Sequence, residues 1–334
     1  MIKINGFVEE AKAIDQYVDS EIDLFISGIS LEDRCPRGWN ILKEKGIKVK
    51  NKIVLYFNEV IEGGKQKGMQ NAEEYFDNLF DMQPTDCKLH VNIYDEISGL
   101  MEFEKHLNEI FREVKDKKVV IDFSIMIKPY LFILLKYLQD IKSIEKIYLL
   151  YTEPASYHKS KAKIAIKDGY YFTSGSTKTG EIPAYSGSED LTKKTALIVL
   201  LGFEGIRTAE VVRSVEPDIT IPINGFPAYR PEFKDISIIS NEEILREPEI
   251  FKNLDYAPSN DPFETKNVLE EIYSKYSGRY NISIAPLGTK PMALGSCLFA
   301  LQHTDCRILY PYPMKYNLKA STGWGNTRLY IIEM

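Results

Sequence analysis

Cysteine, histidine and tryptophan are scarce in this 334-residue chain, and each scarcity excludes something. The four cysteines (Cys35, Cys87, Cys297, Cys306) show none of the two-residue spacings of structural zinc sites, and the four histidines form no recognisable ligand set, so no metal is expected. Cys297 lies in an apolar helical stretch and reads as a small core residue. Long apolar runs are missing too. "YLFILL" at 130–135 is far too short for a membrane span, and the first 25 residues are too charged for a signal peptide, so a cytoplasmic protein with reduced thiols is expected. A basic excess is also lacking. A net charge of −6 argues against an extended duplex nucleic-acid surface, while leaving room for a small basic pocket around one anionic ligand. Phosphate loops ending in Gly-Lys-Ser/Thr, spaced-glycine dinucleotide fingerprints and Ser elbows are absent, so no cofactor is implied. "DRCPRGW" places Cys35 near Arg37 without the spacing of a phosphate-binding cysteine loop, and Cys35 reads as structural.

What is present is an internal repeat. "VVIDFSIMIKPYLFILLKYLQDI" (119–141) aligns without a gap on "NISIAPLGTKPMALGSCLFALQH" (281–303), bringing Lys128-Pro129 onto Lys290-Pro291. "KIYLLYTEPASYHK" follows as "RILYPYPMKYNLK", matching Tyr157 to Tyr316. Upstream, "DLFISGISLEDR" pairs with "TALIVLLGFEGIR", each an apolar run reaching a glycine (Gly28, Gly202), then an acid (Glu32, Glu204) and an arginine (Arg34, Arg207). "KIVLYFNE" against "DITIPINGF" sets Asn58 opposite Asn224. Continuous runs such as "ALIVLL" and "KIYLLY" read as strands buried on both faces, and their alternation with helical segments predicts parallel sheets with right-handed crossovers. The expected fold is α/β: two tandem Rossmann-like halves, 1–187 and 188–334, related by duplication. The Gly-, Ser- and Thr-rich stretch 168–195 is a linker or a hairpin closing the first half, and "RLYIIEM" is a closing edge strand.

In such sheets ligands sit outside the carboxyl ends of the strands, where helix N-termini present N–H groups. Gly288, Thr289 and Lys290 form one such turn: a close backbone approach, a hydroxyl and a cation. Gly202, Glu204 and Arg207 form another, and "NGFPAYRPEFKD" adds Asn224, Tyr229 and Arg230, a ring to stack and a charge to pair. Each has a plainer reading as a turn, a solvated lysine or a proline-stiffened loop. Lysine at a helix start is electrostatically awkward, however, and it recurs in both halves. Lys128, Arg34, Asn58 and Tyr157 are the first-half counterparts, and Tyr316 lines the second.

At "ISIAPLGTKPMALG" and "LLGFEGIR" the chain resembles the CARF family of ligand-sensing domains and the related SAVED domains. The resemblance implies a Rossmann-like sensor of cyclic oligonucleotides in antiviral signalling, with Gly288, Thr289, Lys290 and the turn from Glu204 to Arg207 on the ligand. The first half departs from the pattern: "DFSIMIKPY" keeps Lys128 without the Gly-Thr. No effector segment is recognisable, so a sensor would act through a partner protein; a homodimer is compatible with the sequence. Two other readings stay open. A phosphodiesterase, ring nuclease or nucleotide hydrolase would use the same cleft, with Glu204 or Glu32 as general base. A structural subunit of a defence or nucleic-acid-processing complex would use neither.

Overall fold

The computed structural model describes residues 5–18, 20–69, 71–91, 101, 103, 105, 107–108, 118–141, 144, 146–158, 170, 172–318 and 320–333. The chain forms two compact units, one of Lys3–His158 with Asn317–Met334, the other of Lys159–Tyr316. The first unit contains strands β1 (Asn5–Glu10), β2 (Glu21–Gly28), β3 (Lys48–Phe57), β4 (Cys87–Val91), β5 (Val119–Asp122), β6 (Lys146–Thr152) and the short β7 (Ser156–Tyr157). Its helices include α1 (Arg37–Glu44), α2 (Asn58–Gln66) and α3 (Lys128–Asp140). The second unit supplies β8 (Thr173–Glu181), β9 (Lys194–Leu200), β10 (Ile219–Gly225), β11 (Asp255–Ala257), β12 (Tyr280–Pro286) and β13 (Arg307–Tyr316). Among its helices are α4 (Gly205–Val215), α5 (Pro231–Ser240), α6 (Pro262–Tyr276) and α7 (Lys290–Gln302). The chain then returns to the first unit with β14 (Ser321–Thr322) and β15 (Thr327–Glu333).

The two main sheets share one plan. The first runs β4-β3-β2-β5-β6-β15-β1 and the second β11-β10-β9-β12-β13-β8. In each, five parallel strands are followed by an antiparallel one, β15 on β6 and β8 on β13. The α/β fold expected from the alternating pattern is therefore present twice. The apolar runs form the central strands because both faces of these sheets are covered: Ala196 to Leu200 on β9 and Val119 to Ile121 on β5 are all fully buried.

Three details depart from expectation. The Gly- and Ser-rich stretch is neither linker nor hairpin over 173–181: it is β8, paired antiparallel with β13 of the second unit. Residues 168, 169 and 171 of that stretch lie outside the described residues. "RLYIIEM" is not an edge strand; β15 sits between β6 and β1. Each unit thus takes its antiparallel strand from beyond its own repeat, β8 following β6 in the chain and β15 following β13. Composition does not show this: β8 has almost no apolar pattern of its own, and the apolar run of β15 would suit either sheet, so the backbone partners on offer decide where each strand goes. The expected boundary at Gly187 falls after β8, within the second unit.

Helix starts follow local chemistry. Asp261 caps α6 by accepting from the N–H groups of Phe263 (2.9 Å) and Glu264 (3.2 Å), with Pro262 in the first turn. Thr289 caps α7, its hydroxyl accepting from Met292 N at 3.3 Å, and Pro291 follows. Every residue of α7 from Pro291 to Leu301 is buried, which fixes the helix and hence the turn that opens it.

Candidate functional site

Strand order reverses between β9 and β12 in the second unit and between β2 and β5 in the first, so each sheet has a switch point where crossovers leave a crevice at the carboxyl ends. In the second unit, Gly202 closes one side and Gly288-Thr289-Lys290 the other. A Cβ on Gly202 would lie 2.4 Å from Leu287 O, so only glycine lets the two turns approach this closely. The Thr289 hydroxyl donates to Ser259 O, tying the α7 turn to the segment after β11. Lys290 is half-buried at the first residue of α7. The structure thus brings Gly202, Gly288, Thr289 and Lys290 together.

The other second-unit residues are placed differently. Asn224 is fully buried; its side-chain amide donates to Lys234 O at 3.1 Å and its oxygen accepts from Gly225 N at 3.0 Å, so it fixes the start of α5 rather than facing a ligand. Tyr229 is half-buried, and exposed Arg230 carries its guanidinium 5.8 Å from the Phe233 ring centre. Arg207 is only 8% exposed. It donates to Pro311 O at 2.6 Å, pairs with Glu204 at 3.4 Å and lies 5.0 Å above the Tyr310 ring. Glu204 in turn accepts from Thr173 N (2.7 Å), Thr173 Oγ1 (2.8 Å) and Phe172 N (3.2 Å) at the start of β8. Burial opposes the Arg207 charge, yet Tyr310, Glu204 and Tyr316 outweigh it and hold the guanidinium above its ordinary pKa.

The first unit repeats this cluster. Arg34 donates to Thr152 O at 2.8 Å, pairs with Glu32 at 3.0 Å and lies 5.9 Å from the Tyr151 ring centre. Glu32 also accepts from Ser321 Oγ of β14. Burial raises the Tyr157 and Tyr316 phenols well above the usual tyrosine range. The matches of Arg34 with Arg207, Glu32 with Glu204 and Tyr157 with Tyr316 therefore correspond to equivalent surroundings. The match of Asn58 with Asn224 does not. Ile29 N donates to Leu55 O and Leu201 N to Ile223 O, so Leu55 stands where Ile223 does and Tyr56 takes the place of Asn224. Asn58 is exposed at the start of α2.

The first unit's crevice holds a group that sequence reading missed. Asp122, at the end of β5, is fully buried and accepts from Gly38 N (3.0 Å) at the start of α1, as well as from Ser124 N (2.9 Å) and Ser124 Oγ. The position where an external anion would meet the N-terminus of α1 is filled by the protein's own carboxyl. Half-buried Lys128 opens α3 on the same side, with Ile127 giving no side-chain cap. Registers place Ala285 where Asp122 stands, so the second unit has no such plug. An Asp at a strand end after "VVI" was the available signal.

Burial raises the Asp122 pKa above the carboxylate norm despite those hydrogen bonds. The folded state therefore binds a proton at higher pH than the unfolded chain, and this group's contribution to stability falls as pH rises from the ordinary carboxylate range through the raised value. Asp122→Asn is expected to remove that slope. In urea melts across this window, the stability of the variant relative to the parent should rise with pH; a constant difference would refute the shift.

Among the described residues no three His, Cys, Asp or Glu side chains are placed to hold a metal ion, and no helix is long and apolar enough to cross a membrane. No family model and no curated protein matches the sequence. Solved structures give distant likenesses. A NadR protein in complex with NAD and AMP-PNP is 10% identical, with 86% of this chain and 90% of that chain covered and a TM-score of 0.27. A NadR protein in complex with NR is 13% identical over the same shares, with a TM-score of 0.26. An N-terminal ketoreductase from a macrolactin assembly line is 9% identical, with 91% and 72% covered and a TM-score of 0.24. Likenesses at this level say nothing about the site.

Proposed function

We propose that the second unit binds a phosphorylated nucleotide at the carboxyl ends of β9 and β12, with phosphate met by the backbone of Gly288 and Thr289 and by the Lys290 ammonium, the Thr289 hydroxyl being already given to Ser259 O. The observation that carries this is the contrast between the two switch points. One is filled by the Asp122 carboxyl; the other carries a lysine and a threonine-capped turn, with Ala285 in place of the acid. The resemblance of this turn to CARF and SAVED domains makes a cyclic oligonucleotide the first ligand to try, in an antiviral sensing role passed on to a partner protein.

Binding without turnover is the favoured mode. Glu32 and Glu204 are each committed to an arginine and to hydroxyl or amide donors, leaving neither poised as a general base. The Cys35 thiol is buried, and that burial pushes its pKa far above the thiolate-forming range of nucleophilic cysteines.

A ligand that binds only the folded state raises the melting temperature by mass action. A thermal-shift screen with mono-, di- and cyclic oligonucleotides should give a shift, and chromatography should recover the ligand intact; a degraded ligand would establish the hydrolase instead. Lys290→Ala is expected to weaken binding by about 1–3 kcal/mol, the range for losing a charge-assisted contact. Undiminished affinity would remove Lys290 from the site.

A further inference from the structure

The turn after β5 in the first unit is sealed: Phe123 to Met126 are all buried. After β12 in the second unit, Leu287 to Lys290 are only half-buried.

A two-stranded ribbon of the chain itself crosses the first unit's crevice. Beyond the ends of β6 and β15, Glu153–His158 and Ala320–Asn326 stay paired. Glu153 N donates to Asn326 O (3.0 Å), Gly325 N to Glu153 O (2.8 Å) and His158 N to Ala320 O (2.9 Å), with β7 and β14 pairing in between. The ribbon reaches the turn after β2, where Ser321 Oγ donates to Glu32 and Gly323 N to Asp33 Oδ2 at 2.8 Å. Farther on, Leu318 lies against α2, its Cδ1 2.5 Å from where a Cβ on Gly63 would stand. In the sheet, β5 lies between β2 and β6. A ribbon rooted on β6 and β15 and fastened beyond β2 therefore passes over the end of β5, at the switch point.

We infer that this ribbon is a flap that shuts the first unit's crevice and opens by local unfolding while the sheet beneath stays folded. A two-stranded ribbon is marginal in water by itself. No tight turn closes this one, because the chain leaves the first unit after His158 and returns at Asn317. The fastenings at Glu32, Asp33 and Gly63 amount to two hydrogen bonds, one of them to an exposed carboxylate, and one half-buried leucine. Exposed hydrogen bonds of this kind add little, since water replaces either partner. By contrast, β15 pairs with β6 over seven residues and buries Leu329 to Ile332 completely. Local opening free energies follow such differences in burial and pairing. The crevice that the flap shuts is not the one assigned to the nucleotide, so flap and ligand site stand or fall separately.

Hydrogen exchange read by mass spectrometry on the full chain tests the flap. Residues 320–326 should exchange about a hundredfold faster than 327–333, at a rate that low urea hardly changes, because local opening exposes little surface. Leu318→Ala loosens the far fastening and Asp33→Ala the one at the turn after β2. Each should speed exchange of 320–326 by about tenfold and speed 124–127 with it, leaving 327–333 as in the parent. Equal exchange of 320–326 and 327–333 in the parent would overturn the flap, since the ribbon would then move only with global unfolding. Variants that exchange like the parent would overturn it too. Faster exchange of 320–326 with 124–127 unchanged would reduce the ribbon to a surface loop that covers nothing.

Discussion

Arg207→Met is expected to destabilise the second unit by about 3–5 kcal/mol, the cost of removing one member of a buried ion pair. The effect comes less from the lost attraction than from what is left behind. Glu204 is 12% exposed at its side chain and would keep its Thr173 and Phe172 donors but lose the guanidinium it pairs with, while Pro311 O would lose its 2.6 Å donor. A solvent-exposed pair would cost less than about 1 kcal/mol, because water replaces the partner. Urea denaturation read by tryptophan-independent far-UV circular dichroism measures the difference. Since Glu204 also anchors the start of β8, the variant should expose the β8 strand to proteolysis first. Adding Glu204→Gln to Arg207→Met should recover part of the loss, because the uncompensated charge is gone. Arg34→Met is the matched experiment in the first unit and should cost a similar amount, since Glu32, Thr152 O and Tyr151 repeat the surroundings. An effect near zero in either unit would show that water reaches the pair.

These clusters also show what the sequence reveals and what it hides. The central strands, the α6 and α7 starts and the Glu–Arg–Tyr repeats are all legible, because each depends on local pattern: continuous apolar runs, Asp261-Pro262, Thr289 before Lys290-Pro291, and a fixed spacing from β6 to Tyr157 and from β13 to Tyr316. What those residues do is not legible. Arg207 reads as a cation for a ligand, yet the pairing of β13 beside β12 brings Pro311 O and Tyr310 onto it, a consequence of tertiary order alone. Asn224 reads as a loop residue; it lies fully buried at the end of β10, its amide given to Lys234 O of α5. The exchange of β8 and β15 between repeats is invisible for the same reason, since which sheet a strand joins is decided by the backbone partners tertiary order offers it. Asp122 stands out in the sequence only as an acid ending a buried strand; its partner is not legible, because Gly38, which donates to it, lies 84 residues away.

Gly202→Ala tests whether the close approach of the two turns matters. The new methyl would lie 2.4 Å from Leu287 O and 3.2 Å from Leu287 C, both backbone atoms that cannot swing aside as a side chain would. Retreat of the Gly202 turn is also blocked, because its carbonyl accepts from Asn241 Nδ2 at 2.8 Å and from Ser237 Oγ at 3.4 Å. The strain must therefore be relieved by moving Leu287 and Gly288, whose displacement carries Lys290 with it. Overpacking of this kind costs about 1–3 kcal/mol, and the variant should bind the nucleotide probes less tightly than its stability alone would explain. Gly278→Ala is the control: a Cβ there meets nothing within 4 Å, so neither stability nor binding should fall. Gly202→Ala as stable as Gly278→Ala would mean that the turns part without cost. If it were destabilised but bound the probes normally, the separation of Gly202 from Leu287 would matter to folding alone, and the phosphate would be held by α7 without help from β9.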